Sequence, residues 1–203
     1  MQAMSKIESI CVYCGSGPGT NPAFVEAAHR FGRILAENQI GLVYGGGSAG
    51  LMGACAEAVL DHGGFVTGII PKFLTDREHM LMRVQERIIT RDLHERKRLM
   101  FERADAFVAL PGGVGTLEEL VEQLTWAQLG RHRKPILIAN IAGYWDPLLV
   151  MFDHLLSLGF LTNGRLGHLV ADNVDDILPT LLAAAAKVSE VEKLGEPERV
   201  ERL

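Results

Sequence analysis

Cysteine is scarce here, with three residues in a chain of 203. An odd count of that size builds no disulfide framework and fits a reducing compartment. Long apolar runs are missing as well: none approaches the roughly 20 residues that span a bilayer. The opening stretch Met1–Ser9 holds no apolar core of the kind a signal peptide uses. A cytoplasmic protein with no membrane association is therefore expected. Positive charge is in short supply too. Lys+Arg 20 against Asp+Glu 25 leaves a net charge of −5, which argues against a bulk-charge grip on nucleic acid. Any anionic ligand must be held by local geometry.

Several catalytic signatures are absent. No Gly-x-x-x-x-Gly-Lys-Ser/Thr stretch occurs, which excludes a Walker-type nucleotidase. No His-x-x-x-His pair or set of cysteine pairs gives metal spacing, so neither a metal nor a cofactor is expected. Cys11-x-x-Cys14 has the spacing of a redox motif. It falls in a β-rich run rather than at a helix start, and positions three apart on a strand face opposite sides, so both read as core or loop thiols.

Glycine is what the chain has in excess: 22 residues, about 11% against an average of about 7%. The remaining residues alternate short apolar runs with longer amphipathic ones. Strands are expected at Ile10–Tyr13, Gly41–Tyr44, Phe65–Ile70, Val84–Thr90, Ala106–Leu110, Pro135–Asn140 and His168–Ala171. Helices are expected from Pro22 to Glu37, Leu51 to His62, Leu93 to Arg103, after the Thr116 region to Leu129, Asp146 to Leu158 and Val174 to Val188. Pro71–Arg83 reads as a connection without a clear period. This alternation predicts a single α/β domain over residues 1–188, doubly wound and Rossmann-like, with a mostly parallel sheet covered by helices on both faces. Residues 189–203 read as a charged, frayed tail.

In such a sheet ligands bind beyond the carboxyl ends of the strands. Glycine clusters follow three of these strands: Gly15-Ser16-Gly17, Gly45-Gly46-Gly47 and Pro111-Gly112-Gly113-Val114-Gly115-Thr116. A glycine turn that opens a helix aims several free N–H groups and the helix dipole at one point, which suits a phosphate. Gly45-x-Gly47-x-x-Gly50 matches the dinucleotide fingerprint, but the next strand brings no carboxylate for a ribose. Its glycines read as close helix–sheet packing, a role compatible with a single phosphate or ribose contact. In the third cluster Thr116-x-x-Glu119 has the form of a capping box, which needs no function beyond starting a helix. Three glycines directly before a cap exceed that need and expose a row of backbone donors. The run Leu93-His94-Glu95-Arg96-Lys97-Arg98 stays ambiguous. Asp92 and Arg96 have the spacing of an ordinary surface pair, so spacing alone does not separate a solvated face from a functional arginine.

His94-Glu95-Arg96-Lys97 followed by Pro111-Gly112-Gly113-Val114-Gly115-Thr116-Leu117-Glu118-Glu119 resembles the LOG family. Its members are cytokinin riboside 5′-monophosphate phosphoribohydrolases, long mislabelled as lysine decarboxylases. The resemblance extends to Cys14-Gly15-Ser16, to Tyr44-Gly45-Gly46-Gly47 with Gly50-Leu51-Met52-Gly53, and through Leu124-Thr125-Trp126-Ala127-Gln128-Leu129-Gly130. It implies hydrolysis of a nucleoside 5′-monophosphate, cytokinin-type or AMP, to free base and ribose 5-phosphate. It also implies Arg96 and Glu119 as the catalytic pair. Gly15, Ser16, Gly46, Glu78, Lys97, Gly112, Gly113, Val114, Gly115, Thr116, Glu118 and Thr125 are the implied substrate contacts. A homodimer, with the nucleotide site close to the subunit interface, is implied as well. Thr75–Met82 departs from the glycine-containing loop of the plant members, and base choice is expected to be made there.

The residue types suit that chemistry on their own account. Glycosidic cleavage passes through an oxocarbenium-like state, which a carboxylate near the ribose stabilises or relieves by activating water. A guanidinium stabilises phosphate charge or polarises the departing base. Two other readings compete: a general nucleoside 5′-monophosphate nucleosidase of salvage, and a non-catalytic binder of a phosphate-bearing cofactor such as a molybdenum-cofactor carrier. A carrier needs the glycine loop but not the glutamate.

Overall fold

Strands buried on both faces need no polar alternation, and the apolar runs of this chain behave accordingly. The computed structural model describes residues 7–75, 79–161 and 166–193. Its strands are β1 (Ser9–Tyr13), β2 (Gly41–Tyr44), β3 (Val66–Pro71), β4 (Glu86–Thr90), β5 (Ala106–Ala109), β6 (Ile136–Ala139) and β7 (Leu169–Ala171). They form one sheet in the order β4-β3-β2-β1-β5-β6-β7, with every pair parallel. The central β5 and β6 are buried throughout, whereas edge strand β4 alternates between half-buried and exposed positions.

The helices are α1 (Pro22–Glu37), α2 (Gly50–Asp61), α3 (Leu93–Glu102), α4 (Val114–Gln128), α5 (Asp146–Ser157) and α6 (Ile177–Lys193). Side chains of α1, α2 and α6 build one apolar cluster, and those of α3, α4 and α5 build a second. The sheet lies between the two. Cys11 faces one cluster and Cys14 the other, as strand alternation requires.

The chain winds outward from β1 to β4 and then returns through α3 to β5, on the other side of β1. The loops after β1 and β5 therefore diverge at the topological switch point, where doubly wound sheets open their crevice. From β3 to β4 the described residues hold a short 3₁₀ turn at Lys72–Leu74 in place of a crossover helix. This connection is stitched to the β2–α2 loop: Met80 bridges Gly47, and the Leu81 N–H donates to the Gly46 carbonyl at 3.0 Å.

Some boundaries differ from expectation. β4 begins at Glu86 rather than Val84. The last helix starts after a 3₁₀ turn at Val174–Asp176 and runs to Lys193, past the expected stop at Val188. The first helix-breaking residues beyond Val188 are Gly195 and Pro197, so nothing ends the helix earlier. Residues 194–203 of the expected tail lie outside the described residues.

Small residues let α1 and α2 approach closely. Helix α2 buries Gly53, Ala54, Cys55, Ala56 and Ala58, and a methyl group at Gly32 of α1 would run into the Cys55 carbonyl. Gly32→Ala is therefore expected to lower stability by about 1–3 kcal/mol, the usual penalty of overpacking. Denaturant unfolding with a lower midpoint and unchanged slope is the measurement that checks it.

Candidate active site

Each glycine-opened helix start has a different fate. Helix α1 is capped by the Asn21 side chain, which accepts from the Ala23 N–H at 3.0 Å. Helix α2 has no side-chain cap, but its first N–H groups are already engaged. Leu51 and Met52 both donate to the Gly15 carbonyl, at 3.0 and 3.2 Å. The glycines after β2 thus serve packing against the β1 loop, and a dinucleotide pyrophosphate finds that helix start occupied.

Helix α4 is different. Its N-cap is Gly113, with φ −87° and ψ −160°, and no side chain caps it. The first backbone bond runs from the Leu117 N–H to the Gly113 carbonyl at 3.0 Å. Among the described residues none accepts from the N–H groups of Val114, Gly115 and Thr116. The capping-box reading of Thr116 and Glu119 is overturned: the helix begins before Thr116, which lies buried within its first turn. The Thr116 hydroxyl packs so closely on Gly112 that a side chain at Gly112 would overlap it. Gly112 also faces the β1 loop, where the Gly15 N–H donates to the Pro111 carbonyl at 3.0 Å. Glycine is required there by close approach from both sides.

The two glycine loops enclose a cavity of about 300 Å³. It is lined by Gly15, Ser16, Gly17, Pro18, Gly19, Phe24, Leu51, Pro111, Gly112, Gly113 and Tyr144. Gly15, Ser16, Gly112 and Gly113, expected from sequence, thus meet on one wall. Phe24 and Tyr144 were not anticipated. Their rings lie 5.2 Å apart, edge to face, with the Tyr144 hydroxyl donating to the Gly112 carbonyl.

On the α3–α4 side of the same strand ends lies a buried ion pair. Arg96 is only 6% exposed. Its Nε donates to the Ile69 carbonyl at 3.0 Å and one terminal nitrogen to the Gly45 carbonyl at 3.1 Å. The other terminal nitrogen lies 3.8 Å from the Glu119 carboxylate, which is 8% exposed. The surface-pair reading of Asp92 and Arg96 does not hold, because Asp92 caps α3 by accepting from the Glu95 N–H at 2.8 Å. Capping turns Arg96 inward, over the ends of β2 and β3.

Lys97, next in the chain, reaches α4 on its outer flank and donates to Glu118 at 2.5 Å and to Glu122 at 2.9 Å. Burial pulls its pKa down, and the hydrogen bonds it donates to Glu118 and Glu122 more than restore it, so it ends above the ordinary lysine value. Glu122 escaped the sequence reading, although its position four after Glu118 on one helix face marks it.

Two expected contacts are not drawn into this group, and a third falls where the structure gives no description. Glu78 lies outside the described residues. Gly46, with φ +82°, packs against Ile70 across the β2–α2 loop. Thr125 is exposed on the outer face of α4, its hydroxyl donating to the Val121 carbonyl at 2.8 Å. It sits about 14 Å beyond Thr116 at the helical rise per residue. The position of Tyr144 was readable in principle: its loop follows β6 on the ligand-bearing edge of the sheet.

This geometry defines a class: a doubly wound α/β protein with an open, glycine-started helix beside a buried arginine–glutamate pair. The family model described as "Possible lysine decarboxylase" matches residues 52–181. A cytokinin riboside 5′-monophosphate phosphoribohydrolase of Arabidopsis thaliana is 42% identical over 205 aligned positions, covering 96% of each chain. Another from the same plant is 48% identical over 161 residues, covering 79% of this chain and 74% of its own. The chain belongs to this family, the LOG family. The fold alone is shared with a molybdenum-cofactor carrier protein of Chlamydomonas reinhardtii. That structure has a TM-score of 0.68 and 20% identity, and the match covers 90% of this chain and 99% of that one.

All three cysteines are free and buried. Burial pushes the Cys55 thiol up to about 12, and raises Cys11 and Cys14 above the ordinary thiol range as well. The native protein is therefore expected to resist a thiol reagent at pH 8 and to take up three equivalents once unfolded in denaturant. Absorbance of the released chromophore checks this.

Proposed function

We propose that this protein hydrolyses the N-glycosidic bond of cytokinin riboside 5′-monophosphates, and of AMP, to free base and ribose 5-phosphate. The observation that carries the reading is the buried Arg96–Glu119 pair beside the open start of α4. A nucleoside monophosphate has its phosphate and its scissile bond a few ångströms apart. The N–H groups of Val114, Gly115 and Thr116 suit the phosphate, and the helix dipole adds to their pull. Glu119 follows Thr116 by about one helical turn.

In the proposed reaction the bond from C1′ to the base nitrogen breaks, and positive charge develops on the ribose ring. The Glu119 carboxylate stabilises that charge and accepts a proton from the attacking water. The water oxygen bonds to C1′, and the proton that Glu119 took from the water is passed on to the nitrogen of the departing base, which returns the carboxylate to its starting form. Arg96 fixes the carboxylate and balances negative charge within the site. Its other donors are tied to Ile69 and Gly45, which keeps the guanidinium in place through the cycle. The three buried free thiols suit the reducing cytoplasm in which we place the enzyme. Among the described residues no helix is long and apolar enough to cross a membrane.

Glu119→Gln is expected to lower kcat by about a hundredfold or more, the scale of a lost general base. Binding of ribose 5-phosphate is expected to stay near normal. Free base released from isopentenyladenosine monophosphate and from AMP, followed by chromatography, is the measurement. Near-normal turnover by a well-folded variant sinks the assignment. Tight ligand retention without release, in the unaltered protein, favours a carrier instead.

We also propose a homodimer. Val114, Val121 and Leu129 are 83%, 39% and 67% exposed, and they recur at helical spacing along the outer face of α4. Thr125 shares that face, so a second copy seated there supports a role for Thr125 in the partner's site. Sedimentation is expected to give twice the 22.2 kDa chain mass, and Leu129→Asp is expected to shift it toward the monomer.

A further inference from the structure

The glycine turn that opens α4 is flexible by composition, yet its two leading carbonyls are both held. The Pro111 carbonyl accepts from the Gly15 N–H at 3.0 Å, on the β1 side. The Gly112 carbonyl accepts from the Tyr144 hydroxyl at 2.5 Å, on the β6 side. Strand β5 lies between β1 and β6 in the sheet, so its loop is gripped by the loops of both neighbours.

A trans peptide points its carbonyl and the following N–H in opposite directions. Turning the Gly112 carbonyl toward Tyr144 therefore turns the Gly113 N–H away from it. Gly113 is the N-cap of α4, and its N–H adjoins the donors of Val114, Gly115 and Thr116.

Tyr144 is itself held by an unusual loop. Ala142 has φ +53°, a left-handed conformation that alanine rarely adopts, and Gly143 follows with φ +71°. The buried Asn140 side chain locks this turn. Its amide donates to Asp146 at 2.8 Å and to Asp172 at 3.1 Å, and its carbonyl accepts from the Trp145 N–H at 2.8 Å. The Tyr144 ring is then braced edge to face by Phe24 at 5.2 Å and Trp145 at 4.9 Å. A strained backbone, a buried amide network and two aromatic contacts converge on one hydroxyl.

We infer that Tyr144 is a positioning residue of the phosphate site: through its hydroxyl it sets the Gly112–Gly113 peptide so that the Gly113 N–H faces the ligand. This rests on the reading of the α4 start as the phosphate site. Tyr144→Phe keeps the ring and removes only the hydroxyl. Calorimetric titration of ribose 5-phosphate is expected to show about three- to tenfold weaker binding, the range of one hydrogen bond. In the hydrolysis assay the KM for the monophosphate is expected to rise by the same factor, with kcat within about twofold and the melting temperature unchanged. Equal ribose 5-phosphate affinity in the two proteins, or a fall in kcat at unaltered affinity, overturns the inference. So does a wild-type protein that binds no ribose 5-phosphate. If the wild type binds ribose 5-phosphate but releases no base from any monophosphate, the hydrolysis reading fails. The calorimetric comparison then still decides the role of Tyr144.

Discussion

A guanidinium buried at 6% exposure dictates much of this molecule. A buried charge left uncompensated is strongly destabilising. Three partners answer it, and each comes from a different part of the chain: Ile69 at β3, Gly45 after β2, and Glu119 on α4. The Arg96 position ties the outward-wound half of the sheet to the first helix after the chain crosses back. The fold therefore brings together, at one charge, the elements on either side of the switch point. Asp92 contributes from below by starting α3 where Arg96 turns inward rather than toward solvent.

The second organising feature is the contrast between two helix starts with similar glycine content. At α2 the Gly15 carbonyl takes up the leading N–H groups, and the helix is an element of packing. At α4 the leading N–H groups face away from the chain's own carbonyls, which Gly15 and Tyr144 hold from either side. An acidic chain with a net charge of −5 can present an anion site in this way, because oriented backbone dipoles need no surplus of lysine.

Much of the architecture was legible in the residues. Apolar runs with no alternation marked the buried parallel strands, and the glycine clusters marked their carboxyl ends. Arg96 and Glu119 were singled out through motif resemblance, since their spacing alone matched a surface pair and a capping box. The cap reading failed because sequence shows which residues can cap but not where the backbone turns helical. Gly113, with no side chain to offer, takes the N-cap position. Tyr144 was missed because its role comes from contact across the sheet, between loops 32 residues apart in sequence. Strand order places its loop on the ligand-bearing edge, but local patterning carries no trace of the contact itself. Glu122 was missed for a simpler reason: a charge run on a helix is usually a solvated face, and only the arrival of Lys97 from α3 distinguishes this one.

Gly15 uses both of its backbone groups on other elements, the N–H on the β5 loop and the carbonyl on the start of α2. Three loops are thereby anchored at one residue. A residue inserted into one would shift the anchor of the other two, so the crevice tolerates change only as a unit. The connection from β3 to β4 joins this frame at one remove, because Met80 and Leu81 pair with Gly47 and Gly46 just before the helix start that the Gly15 carbonyl holds.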